Sequence, residues 1–178
     1  MFKKIIKYFA DKQLLKFDHT RKRDRKIKTL NDSKHVGILW NPEDEGSLDA
    51  YESLRKILHG KKIKTTGIAQ IDSIREMEIL TTNTKSGFLD KRNVTWMGRP
   101  KSNAGISFIE EPYDILIDIS VNKTIALQYM LVHSMAIFKV GWKGEDPNYY
   151  DLNIDIAEKP QCKYLMEQMV YYLEKLTN

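Results

Sequence analysis

The chain has 178 residues, 42% of them hydrophobic and 30% charged, with one cysteine, four histidines and a net charge of +5. That length suits one domain with a sizeable core, the lone Cys162 excludes an intramolecular disulfide, and no stretch reaches the ~18 apolar residues of a membrane-spanning helix. Nor does the charge mark a nucleic-acid-binding domain: residues 1–30 hold 11 Lys and Arg against three Asp, +8, while the remainder, with 18 basic and 21 acidic residues, stands at −3.

At the N-terminus, Phe2, Ile5, Ile6 and Phe9 recur at helical spacing, Leu14, Leu15 and Phe17 continue less regularly, and lysines fall between them. This predicts a basic amphipathic helix, followed by the cationic stretch HTRKRDRKIK. Such an arm, residues 1–34, either packs on the domain or on a second copy, or makes weak contact with an anionic surface of lipid headgroups or nucleic-acid phosphates. Packing is the preferred reading, because Asp11, Asp18 and Asp24 dilute the positive field.

From His35 to Asn178 the pattern is that of one α/β domain. HVGILW is a first strand, NPEDEGS an acidic loop, and the helix from Ser47, with Ser47 as its N-cap, carries Leu48, Tyr51, Leu54, Ile57 and Leu58 on one face. IKTTGIAQI is a second strand. Residues 72–93 are the least legible: DSIREMEI suits a short helix or the start of a strand and TTNTKSG a mobile loop, serving either as a lid or binding edge or as a variable insertion. NVTWMG at 93–98 is expected to be the third strand, GRPKS its exit turn and NAGISFIEE a short helix ended by Pro112. YDILIDIS, a mostly apolar helical segment and IFKVG then form the central βαβ unit, with nearly unbroken apolar strands as expected where helices cover both faces of a parallel sheet. DLNIDI alternates like an edge strand, and a helix from about Cys162 to Leu176 is expected to turn Leu165, Met166, Met169, Leu173 and Leu176 to the core. The expected fold is therefore a three-layer, Rossmann-like α/β domain of about five parallel strands, carrying the basic N-terminal helix.

In such sheets ligands collect beyond the carboxyl ends of the strands, where the strand order reverses. That rule selects Asn41, Glu43 and Asp44 after the first strand, Gly98, Arg99 and Lys101 after the third, Asp118 and Ser120 after the central one, and Gly141 after the fifth. Each has a structural explanation beside the functional one. Asp118 within an apolar strand either meets a backbone N–H or a cation or lies at the exposed strand end, and structural pairing is preferred over catalysis. Asn122 is placed to cap the crossover helix. The carboxylates 43–45 suit Mg²⁺ on paper, yet an acidic loop before a helix N-terminus needs no metal. Arg99 and Lys101 suit a phosphate, or a plain surface turn.

No G-x-G-x-x-G follows the first strand, and there is no P-loop, no G-x-S-x-G elbow and no His or Cys pair at metal-ligand spacing. His19, His35, His59 and His133 all fall away from the expected carboxyl edge. Cys162, with no base nearby, reads as a buried thiol of a reducing compartment. No cofactor is indicated, a catalytic role is disfavoured, and a cytoplasmic location is expected. Protein partners or a homodimer remain open.

At WMGRPKS, EEPYDILIDIS, FKVG and NYYDLNIDI the chain resembles a family of small bacterial proteins of unassigned function, over nearly its whole length. DILIDIS, the helix and FKVGW are more weakly similar to the first Rossmann-like domain of heptosyltransferase-like glycosyltransferases. Those enzymes need two such domains, so the second resemblance implies shared architecture rather than shared chemistry. The sequence therefore points to a non-catalytic interaction or ligand-binding module, with a small enzyme or sensor for an anionic ligand, phosphorylated or nucleotide-like, as the alternative.

Overall fold

In the computed structural model, residues 2–20, 22–71 and 86–176 are described, with side chains from Lys4 onward. Helix α1 spans Phe2–Thr20, and strand β1 spans His35–Trp40. They are followed by α2 (Ser47–Gly60), β2 (Lys64–Ile71), β3 (Ser86–Asp90), α3 (Asn103–Glu110), β4 (Ile115–Asp118), α4 (Ile125–His133), β5 (Phe138–Gly141), β6 (Leu152–Asn153) and α5 (Cys162–Lys175). Six strands form one sheet in the order β3-β2-β1-β4-β5-β6, and every pairing is parallel. This is the Rossmann order, with its reversal between β1 and β4.

Alternation along the strands splits the core into two layers. Val36, Ile38 and Trp40 of β1, with Ile115 and Ile117 of β4, point to the side covered by α2 and α5, where Tyr51, Leu54, Leu165 and Met169 meet them. Leu39 and Leu116 point to the other side and pack with Phe108 of α3 and Leu127, Met130 and Leu131 of α4. Covered on both faces, β4 reads buried at all four positions. Leu14 of α1 joins the second layer and Ala10 is buried beside it, so the N-terminal helix lies on the outside of α4's layer.

Several expectations need correction. The third strand is SGFLD, not NVTWMG: residues 91–93 make a single 3-10 turn, and Val94 and Pro100 close a small antiparallel loop. Within the expected loop 72–93, residues 86–90 are therefore strand, and 72–85 lie outside the described residues. The edge strand is as expected but short: it pairs in parallel with β5 only through Leu152 and Asn153, and brings the strands among the described residues to six. Gly46 rather than Ser47 is the N-cap of α2, and Thr124 rather than Asn122 caps α4, its side chain accepting from Leu127 N–H. On α1 the expected apolar face points outward: Ile5 and Phe9 are exposed, and burial falls on Ala10 and Leu14.

The arm is bound to the body by paired charge. Lys7 meets Asp146 at 2.5 Å, and Lys28 lies 3.5 Å from Asp114. The Arg23 guanidinium donates to both oxygens of Asp151 and to the carbonyls of Ala136 and Ile137.

Candidate functional site

Parallel pairing of β1 with β4 sets Leu39 opposite Asp118, so the two chains leave the sheet side by side at the switch point. Asn41 and Ser120 thereby come to the same edge, as the strand order requires, and both are buried. The Asn41 amide donates to the Asn122 carbonyl at 3.1 Å, and its side-chain oxygen accepts from the Glu43 N–H. Of the three carboxylates in the acidic loop only Asp44 turns inward, to 5% exposure, while Glu43 and Glu45 stay at the surface. Its oxygens accept from Val121 N–H at 2.7 Å, from Asn122 N–H at 3.2 Å and from the Asn122 side-chain amide at 2.6 Å. Two successive backbone N–H groups aimed at one point form an anion-binding concavity. Here the anion is supplied by the protein itself.

Asp118, 1% exposed, is the centre of a second buried cluster. It accepts from Ser120, through both N–H and hydroxyl, from Lys123 Nζ at 3.1 Å and from the Tyr150 hydroxyl at 2.6 Å. The Lys123 side chain, 4% exposed, also donates to the Ser120 carbonyl and lies 5.4 Å from the Tyr150 ring centre. Burial, then the neighbouring Asp118 charge, pushes the Tyr150 phenol well above its ordinary range, so it stays protonated and donates. Gly141 makes this contact possible. It pairs with Asp118 across β4 and β5, and a Cβ there would come within 2.2 Å of the Tyr150 ring.

The remaining sequence candidates sit elsewhere. Gly98, Arg99 and Lys101 follow the 91–93 turn, not a strand end. Gly98, at φ +82°, is pressed against the start of α4, where a Cβ would lie 2.5 Å from the Ile125 carbonyl oxygen. Arg99 and Lys101 are exposed, and Arg99 lines a cavity of about 420 Å³ with Phe17, Trp96, Tyr129 and His133. The structure thus gathers Asn41, Asp44, Asp118, Ser120 and Gly141 at the switch point and leaves Glu43, Arg99 and Lys101 at the surface. Sequence reasoning missed Lys123 and Tyr150. A lysine five residues beyond a buried strand aspartate was the available signal for the first; nothing local marks the second.

Beside Asp44 a cavity of about 400 Å³ opens between the starts of α2 and α5, lined by Gly46, Val121, Asn122, Cys162 and Lys163. Neither helix start has a side-chain cap. Burial, then the Asp44 charge, pushes the Cys162 thiol up to about 12, which makes it a poor nucleophile. Among the described residues no cluster of three or more His, Cys, Asp and Glu is arranged to hold a metal ion, and the acidic loop spends Asp44 on backbone N–H groups instead.

A family model described as a family of unknown function (DUF6913) matches residues 3–176. The chain belongs to that family. The DUF6913 match takes in the N-terminal helix as well as the sheet, so the basic arm is part of what the family model describes. No curated protein and no solved structure matches the chain, which leaves the heptosyltransferase-like similarity without support. Among the described residues no helix is long and apolar enough to cross a membrane.

Proposed function

We propose that this protein is a non-catalytic α/β interaction module of the cytoplasm, with residues 35–178 as its one domain and residues 1–34 as an arm held on it. The observation that carries this reading is Asp44. At the edge where a Rossmann-like sheet receives the anionic part of a ligand, its carboxylate already takes the Val121 and Asn122 N–H groups. The adjoining Asp118 cluster supports the same conclusion: Ser120, Lys123 and Tyr150 satisfy its carboxylate internally, so Asp118 is not poised as a base towards an open site. One reduced, buried cysteine is in keeping with a cytoplasmic location.

A small enzyme or sensor of anionic ligands is the second reading. It is favoured by the cavity beside Asp44, where two helix starts and Lys163 meet. Thermal unfolding in the presence of nucleotides, sugar nucleotides and phosphorylated metabolites separates the two. No saturable stabilisation is expected. A stabilising compound whose effect disappears in Lys163→Ala, with the variant's own melting temperature unchanged, would establish the sensor or enzyme instead.

A further inference from the structure

We propose that the outward face of α1 docks on an anionic lipid surface, which gives the interaction module of the preceding subsection its partner. The helix has two faces of different character. Ala10 and Leu14 are buried against the body, and Lys7 reaches Asp146. On the opposite side Ile5, Tyr8 and Phe9 are 48%, 63% and 51% exposed, with the Tyr8 and Phe9 rings packed edge to face, 5.7 Å between centres. Lys12 and Lys16 continue that side at helical spacing, and Lys4 stands exposed at its start. The outward face is therefore apolar in its first turns, where Ile5 and Phe9 can enter the boundary between headgroups and acyl chains, and cationic in the next, where Lys12 and Lys16 reach anionic headgroups on long side chains.

Charge selects the partner. The arm's cations that face the body are neutralised there, Arg23 by Asp151 and Lys28 by Asp114, whereas no ion pair to Lys4, Lys12 or Lys16 is seen among the described residues. A second copy fits poorly. Three half-exposed side chains offer roughly 300–400 Å², against about 800 Å² per partner in a stable interface, and face-to-face packing would oppose lysine to lysine. Duplex DNA would satisfy the lysines but leave Ile5 and Phe9 in water, while a bilayer of anionic lipids accommodates both.

Sedimentation of the full-length protein with vesicles tests this, using phosphatidylcholine alone or with about a third phosphatidylglycerol. Binding is expected to the anionic vesicles at low salt, and not to the neutral ones. Ile5→Ser with Phe9→Ser should weaken it at least tenfold, from the apolar surface removed. Lys12→Gln with Lys16→Gln should weaken it about 25-fold, near fivefold per lysine. Because all four side chains point outward, both variants should melt at the wild-type temperature. Absence of binding to anionic vesicles overturns the proposal. So do binding by both folded variants at wild-type strength, capture by duplex DNA but not by vesicles, and a dimer dissolved by the Ile5 and Phe9 changes. If vesicle binding fails and the small-molecule screen stays silent, the lipid inference falls and the module reading stands. A stabilising ligand with vesicle binding intact gives the reverse.

Discussion

Asp44 shows how one residue closes a site. Its loop carries three acidic residues in a row, yet two face water, and what distinguishes Asp44 is only that Val121 and Asn122 present their N–H groups where its carboxylate arrives. Charge-assisted hydrogen bonds of this sort contribute about 1.5–3 kcal/mol each, and donors left buried without an acceptor add a desolvation cost. Asp44→Ala is therefore expected to lose about 2–4 kcal/mol in urea unfolding. Since the vacated concavity keeps its N–H groups, formate should restore part of that loss in the variant and do little for the wild type. A variant of wild-type stability, or one that formate affects no more than it affects the parent, would mean that the N–H pair is not an anion seat. The Asp118 cluster differs in kind. An ion pair this deeply buried is weak evidence for net stability, but its four donors fix Lys123 and Tyr150 in place and so shape the whole edge of the sheet.

Among the elements, the arm's connection to β5 and β6 is the most specific. The Arg23 side chain is 5% exposed and forked onto Asp151, which also accepts the Lys139 N–H, so one guanidinium joins the arm, the start of β5 and the approach to β6. β6 has two residues and pairs only with β5, at the edge of the sheet. Arg23→Gln should destabilise by about 1.5–3 kcal/mol, because half-buried Asp151 loses its bidentate partner and keeps only the Lys139 N–H and Arg25, 3.8 Å away. Arg23→Lys should recover only part of that, a point charge being unable to make the bidentate contact. Amide exchange is expected to accelerate first at residues 22–30 and 150–154. Uniform acceleration across the sheet, with these segments no faster than the rest, would show that Arg23 does not hold this corner. The same elements show what was legible beforehand. The strands next to the switch point carry long apolar runs, so their parallel order and the clustering of Asn41, Asp44, Asp118 and Ser120 followed from pattern and topology. β3 was hidden because SGFLD offers only Phe88 and Leu89 as apolar signal, while NVTWMG has strand-like composition but closes on itself through Val94 and Pro100. Tyr150 was hidden for another reason. Its contact with Asp118 spans 32 residues and depends on the missing side chain at Gly141, a relation that only the folded sheet creates.

For the whole molecule, charge partition and burial together set the response to pH. The +8 of the first 30 residues meets a body at −3, and Asp114, Asp146 and Asp151 are where the two are joined. Acidic groups buried in the body push in the opposite sense. Burial holds the phenols of Tyr51, Tyr113, Tyr149 and Tyr150 above their ordinary range and the Cys162 thiol up to about 12. In each the folded state keeps a proton that the unfolded chain releases, at about pH 9 for the thiol and about pH 10 for the phenols. Their contribution is complete below those values and is lost as pH rises towards the folded ones. Each such group removes about 1.4 kcal/mol of stability per pH unit within its own window, and all five windows open between about pH 9 and 10. A domain is usually stable by only ~5–15 kcal/mol, so a few such groups titrating together suffice to unfold it. Between about pH 10.5 and 12 the chain is therefore expected to unfold in one step, with ionisation of the buried phenols, followed by absorbance near 295 nm, coinciding with loss of helical circular dichroism. Thiol alkylation at Cys162 should stay slow until that same step. Phenolate absorbance complete while the helical signal persists would mean that these tyrosines reach water in the native state, and that the two core layers are less closed than their packing implies.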